Sequence, residues 1–225
     1  MFYNPIAFLF VILFFFSLVF LFVFVQINLI AVAFAEIGIP SQYVFAALFA
    51  TLLGSFVNIP IKRIPQEQMH DGREVLFMGV RYRIPLPNRN ETILAVNLGG
   101  AVIPSLICLY LLFKTGLWFS SGIAVAAMAA ITYRLARPVR GVGIALPAFV
   151  PPILAAVVGV ILADQSAPVI AYIAGTLGTL IGADVLHMNK IAKLGAPVAS
   201  IGGAGTWDGI FLNGILAVIL AAVFT

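Results

Sequence analysis

LIGADVLHMNKIAKLGAPVASIGGAGTWDGIFL, residues Leu180 to Leu212, decides how this chain is read. Two apolar segments meet here at a Gly-rich connection, and each carries one aspartate close to the turn, Asp184 and Asp208. Ionisable groups inside apolar segments of membrane length are costly to place, so such carboxylates are functional candidates.

The composition around this stretch is that of a membrane protein. The 225 residues are 63% hydrophobic and 9% charged, against about 25% charged in an ordinary soluble domain. Several apolar runs reach the roughly 20 residues that cross a bilayer core. A single cysteine, Cys108, excludes an internal disulfide and any metal site built from several thiolates; it reads as a small packing residue. Ala33-Phe34-Ala35 before Glu36 resembles a signal cleavage site. However, the run from Ile6 is far longer than a signal core and Met1–Pro5 carries no basic residue, which predicts a retained first helix.

Seven spans are expected: Ile6–Leu29, Gln42–Ile61, Thr92–Phe113, Trp118–Tyr133, Gly143–Ala163, Ala167–His187 and Gly205–Phe224. Basic residues favour the cytoplasmic side. Lys62 to Arg89 holds six, Arg134 to Arg140 three, and Lys190 with Lys193 two, while the opposite connections hold only Lys114. That asymmetry predicts an N-inside, C-outside orientation and a cytoplasmic Asp184–Asp208 turn. The expectation is therefore an all-α fold, a polytopic transmembrane helical bundle forming one integral membrane domain over residues 1–225.

The longest polar segment, residues 62–91, interrupts that pattern. Met69-His70-Asp71-Gly72 is a turn signal, and Glu74 to Ile84 is rich in strand formers with alternation in its second half. A short cytoplasmic β-ribbon is expected there, either as a structured loop or as a cover over the aspartate turn. Elsewhere, Pro147, Pro151 and Pro152 lie within the fifth expected span, and Asn97, Gly99, Gly100 and Pro104 within the third. Breaks of this kind free backbone carbonyls, which only neighbouring helices or a wet cavity can satisfy.

Asp184 lies about one turn from the end of its helix and Asp208 about one turn from the start of the next. Antiparallel packing would bring both to one depth, where a facing pair can share a proton as in an aspartic protease, Asp184 as acid and Asp208 as base. Each can equally cap a helix end or pair locally, Asp184 with Lys190 or Lys193, or the two can bind an ion. His187 follows Asp184 by three positions and shares its face, the start of a metal site with Asp208 or His70, or simply an interfacial histidine. Gly182, Gly202, Gly203 and Gly205 would let a substrate backbone approach closely. The Gly-rich run itself is either a flexible turn or an anion cradle at a helix start. Arg134, Arg137 and Arg140 would meet anionic lipid.

One further stretch bears on activity. Leu52-Leu-Gly-Ser-Phe-Val-Asn-Ile-Pro-Ile-Lys-Arg-Ile-Pro65 resembles the N-terminal motif of type IV prepilin peptidases, in Gly54, Ser55, Phe56, Asn58, Arg63 and Pro65. Those enzymes are intramembrane aspartic proteases, so the resemblance implies a catalytic pair at Asp184 and Asp208. In that family the second aspartate follows Gly-x-Gly and the cytoplasmic loop often carries paired cysteines; neither feature is present. Over more of its length the chain resembles an uncharacterised bacterial and archaeal membrane family of unknown function. Val80-Arg-Tyr-Arg-Ile-Pro85, Ala95-Val-Asn-Leu-Gly-Gly-Ala-Val-Ile-Pro104 and the Gly182-to-Asp208 region carry that likeness.

The expected function is an intramembrane aspartic protease acting on a membrane peptide, in the cell membrane, with Asn58 and Asn97 beside the glycines as substrate contacts. The alternative is a transporter or a lipid- or ion-binding protein built on broken helices around Asn97, Gly100, Pro104, Pro147 and Pro152. A third possibility is an integral scaffold. Membrane lipid and a membrane-associated peptide are the expected partners, and no nucleic acid, cofactor or metal is expected. The sequence leaves the oligomeric state open.

Overall fold

The computed structural model of the protein describes residues 5–65, 74–77, 80–83, 91–139, 143–193, 196–203 and 209–224. Helix α1 spans Pro5–Glu36 and α2 spans Ser41–Gly54. Strand β1 (Asn58–Pro65) follows, then β2 (Glu74–Phe77), β3 (Val80–Arg83) and β4 (Glu91–Asn97). A π-helical turn at Leu98–Val102 leads into α3 (Ile103–Thr115), followed by α4 (Trp118–Leu135). Strands β5 (Arg137–Val139) and β6 (Gly143–Ala145) precede α5 (Val150–Leu162). Helix α6 (Ala167–Ile173) runs on through π-helical turns at Ala174–Gly178 and Leu180–Asp184 into a 3₁₀ stretch at Val185–Lys193. Strand β7 (Val198–Ile201) and α7 (Gly209–Phe224) complete the order.

This architecture corrects the expected seven-span, all-α bundle. Among the described residues two helical segments are long and apolar enough to cross a membrane, Leu98–Thr115 and Ala167–Lys190. The other apolar helices named by that test are shorter: Gln42–Gly54, Val150–Leu162 and Asn213–Phe224. The third expected span begins as a strand, the second ends in one, and Gly143–Ala145 of the fifth is also extended. Length of apolar run was the misleading cue, because a buried strand and a buried helix are equally apolar. The two long segments fit a membrane-associated protein.

The prolines also fall differently from expectation. Pro151 and Pro152 occupy the first turn of α5, where no intrahelical N–H is needed. Pro151 and Pro152 thus start a helix instead of breaking one, Pro104 stands where the π-helical turn passes into α3, and Pro147 precedes α5 altogether.

A mixed sheet of order β1-β4-β7 closes one end of the bundle. Strand β4 is central, antiparallel to β1 with Asn58 opposite Asn97, and parallel to β7 with Ala95 opposite Ser200. Placement of proline agrees with this order. β1 carries Pro60 and Pro65 and a register shift between Pro60 and Lys62, as suits an edge strand, whereas β4 has none. The expected ribbon is the β2–β3 pair, antiparallel with Glu74 opposite Arg83.

Small residues draw the helices together. A Cβ on Gly159 of α5 would lie 2.6 Å from the Ala167 carbonyl oxygen, and one on Gly175 would lie 3.3 Å from Ala155 Cβ and 3.5 Å from Ala217 Cβ. Contacts of this kind let backbones pack closely without a hydrophobic force between helices. Buried Phe34, Ile37, Leu111, Tyr172, Ile173 and Val218 belong to a second core cluster. Large apolar side chains also face outward, Phe119 at 82% exposure and Phe113 at 70% among them.

Candidate functional site

Asp184 stands where the long α6 segment meets the sheet. Its position follows from the helix that carries it: Gly178 packs on Met128 of α4, and Gly182 on Ala129 and Thr132 of the same helix. Thr132 reinforces this contact by donating from Oγ1 to the Gly178 carbonyl at 3.1 Å. These contacts fix the last turns of the segment and hold the half-buried Asp184 at its end.

The Asp184 carboxylate accepts a hydrogen bond at Oδ2 from the Gly202 N–H, at 2.8 Å. Gly202 and Gly203 have φ of +86° and +87° as the chain leaves β7, a conformation that favours glycine. The turn is also crowded. A Cβ on Gly202 would sit 2.7 Å from both Ala101 Cβ and Ala101 N. Gly202 thus approaches the π-helical turn before α3 while its N–H points at the carboxylate. The missing side chains of Gly182 and Gly202 are therefore used for contact within the protein, with α4 and with Ala101 respectively.

Two asparagines connect this turn to the first strand. Asn97 is 1% exposed and donates from Nδ2 to the Ser55 carbonyl at 2.7 Å and to Asn58 Oδ1 at 3.1 Å. Its own Oδ1 accepts from Gly100 N at 2.7 Å, capping the π-helical turn. Asn58 Oδ1 accepts a second bond, from Ser200 Oγ at 2.6 Å. Ser200 lies two residues before Gly202, so a continuous polar chain runs from Ser55 through Asn97, Asn58 and Ser200 to the turn that holds Asp184. Ser55 and Asn58 belong to the 52–65 stretch singled out in the sequence. Gly54 ends α2, and Arg63 and Pro65 lie on β1.

His187 packs inside the protein. It is 1% exposed, its Nδ1 lies 3.1 Å from the Gly182 carbonyl, and its ring packs on Tyr133 with centroids 4.6 Å apart. Lys190 lies above that same tyrosine, 5.5 Å from the ring centroid. Among the described residues no three His, Cys, Asp or Glu side chains gather to hold a metal. Asp208, Gly205, His70 and Arg140 lie outside the described residues, whereas Arg134 and Arg137 are exposed.

Sequence reasoning reached Asp184, Asn58, Asn97 and Gly202 but missed Ser200, whose role depends on β7 lying in register beside β4. Chemically, the arrangement offers a carboxyl with one oxygen fixed by a backbone donor and the other without a partner among the described residues. Such a group can bind or relay a proton or accept a hydrogen bond from a bound molecule. A search of the curated proteins gives no match, and neither does a search of the solved structures. Residues 52–220 match the family described as "Protein of unknown function (DUF1614)", so the chain belongs to that family.

Proposed function

We propose that this is a membrane-embedded aspartic hydrolase, in which Asp184 and Asp208 together cleave a peptide bond of a membrane-associated substrate. The observation that carries the reading is the Asp184 seat. One carboxylate oxygen is held by the Gly202 N–H, and the second has no partner among the described residues. Asp208 follows Gly203 by five residues. At about 3.5 Å per residue the tether reaches about 17 Å, ample for Asp208 to return beside Asp184. The likeness of residues 52–65 to prepilin peptidases supports the same reading, because Asn58 from that stretch bonds to Ser200 on the strand leading to Gly202. Residence in the cell membrane, crossed more than once, would suit the two long apolar segments and the exposed phenylalanines. Lipid would surround the latter.

In this mechanism one carboxyl is protonated and polarises the scissile carbonyl, while the other, ionised, takes a proton from the attacking water. Proteoliposomes holding the wild type, Asp184→Asn or Asp208→Asn would be incubated with a library of membrane-spanning peptides and the products sequenced. Each substitution is expected to slow wild-type cleavage by a hundredfold or more, as is usual for loss of general acid or base. The same products at the same rates from all three proteins would refute the proposal.

A further inference from the structure

Helices α2 and α3 touch at one end, where a Cβ on Gly54 would lie 2.9 Å from Gly99 N and 3.2 Å from Ile103 Cδ1. Beyond that contact a groove of about 330 Å³ lies along them. Helix α3 lines it with Ile103, Leu106, Ile107 and Tyr110, a single face at spacings of three and four, and α2 adds Tyr43 and Ala47. Tyr43, Leu106 and Tyr110 are half-exposed, so the groove opens on the outer surface. Lys114 continues the same face of α3 one turn beyond Tyr110. Its Nζ lies 5.7 Å from the centroid of the Tyr110 ring and donates to the carbonyl of Gly38, next to Ile39, which also lines the groove. One end of an apolar groove therefore carries a cation.

The layout matches a lipid in one leaflet. The groove runs on Leu98–Thr115, one of the two segments long and apolar enough to cross a membrane, and Lys114 stands next to its last residue. From Ile103 to Lys114 the helix rises about 16 Å at about 1.5 Å per residue, close to half of the roughly 30 Å hydrocarbon core of a bilayer. Trp118, edge-on to Phe113 with ring centroids 5.0 Å apart, joins Tyr110 and Lys114 at this end. Such side chains sit at head-group level, an apolar body in the membrane and a polar tip in the wet layer. Lys114 is the only Lys or Arg between Arg89 and Arg134. Among the described residues the ion pair formed is Arg63 with Glu91; Glu36, near Gly38, is exposed and does not pair with Lys114. An ammonium has three donors, and Gly38 takes one. We propose that this groove holds an anionic phospholipid, with an acyl chain along Ile103 to Tyr110 and the phosphate on the remaining donors of Lys114. The site lies apart from the Asp184 turn and stands whether or not that turn is catalytic.

Native mass spectrometry of the full chain, released from micelles that contain phosphatidylglycerol or phosphatidylcholine with the same acyl chains, tests the proposal. The wild type is expected to retain the anionic lipid about fivefold better than the zwitterionic one, the effect of one lysine near a membrane surface. Lys114→Gln should bring the two lipids to equal retention, whereas Arg134→Gln, at an exposed position on α4, should leave the preference as it was. Ala47→Phe fills the groove and should lower retention of both lipids. Equal retention of the two lipids by the wild type, or a preference that survives Lys114→Gln, would overturn the proposal. So would a lipid-free dimer that Ala47→Phe dissociates, since a second copy would then occupy the groove. Should Ala47→Phe not fold, Leu106→Trp takes its place from the open side of the groove, and unchanged retention in that variant overturns the site equally.

Discussion

The Asp184–Gly202 bond makes the residue-scale account testable apart from any activity. Asp184→Ala removes the acceptor and strands the N–H of buried Gly202, at a cost of about 1–3 kcal/mol. Asp184→Asn keeps an acceptor oxygen and should lose less than the alanine variant; thermal unfolding in detergent compares the two. Gly202→Ala combines a positive φ with the collision against Ala101 and should cost at least about 1–3 kcal/mol. Gly122 in α4 provides the contrast, because a Cβ there meets nothing within 4 Å. Gly122→Ala should therefore be neutral or stabilise by up to about 1 kcal/mol. Asp184 was legible in the sequence because a charge in an apolar run stands out. Its partner was not, since a backbone N–H has no sequence signature and its aim depends on how β7 turns into Gly202.

At the scale of elements, the β1-β4-β7 sheet is the feature that run length concealed. Thr92-Ile-Leu-Ala-Val-Asn97 is as apolar as the start of a helix, and its β-branched residues speak only weakly for a strand. Asn97, read as a break inside one long span, is instead the cap residue where the strand ends and the helical segment starts, accepting from Gly100 N. The β2–β3 pair was readable from the strand formers of Glu74 to Ile84, although the turn signal at Met69–Gly72 lies before β2 and not between the two strands. Pairing of β4 with β7, separated by the whole of α3 to α6, has no local cue. Hydrogen exchange should show amides of central β4 protected longer than those of edge strands β1 and β7. Asn97→Ala should lower stability by about 1–3 kcal/mol for each buried partner it orphans and speed exchange in β1 and β4 together. Loss of protection confined to β7 would contradict that reading.

For the whole molecule, composition pointed to membrane association, which two long apolar segments fit, while the number of spans was misread because strands and short helices were counted as crossings. Leu106 lies on the Leu98–Thr115 segment and is 57% exposed, and the Arg63 side chain on β1 is 79% exposed. In a Cys108→Ala background, Leu106→Cys should react with a lipid-soluble maleimide and resist a water-soluble one. Arg63→Cys should react with both. Equal labelling of the two positions by the water-soluble reagent would take α3 out of the bilayer.

The central claim is that the sheet end of the bundle gathers Asp184 and Asp208 into one site. Replacing both by cysteine in the Cys108→Ala background and adding a short bifunctional thiol reagent to the protein in liposomes tests this most directly. The account predicts an intramolecular cross-link as efficient as that of Asn58→Cys with Ser200→Cys, whose native side chains bond across the sheet. A cross-link in that control pair but none between positions 184 and 208 would contradict it.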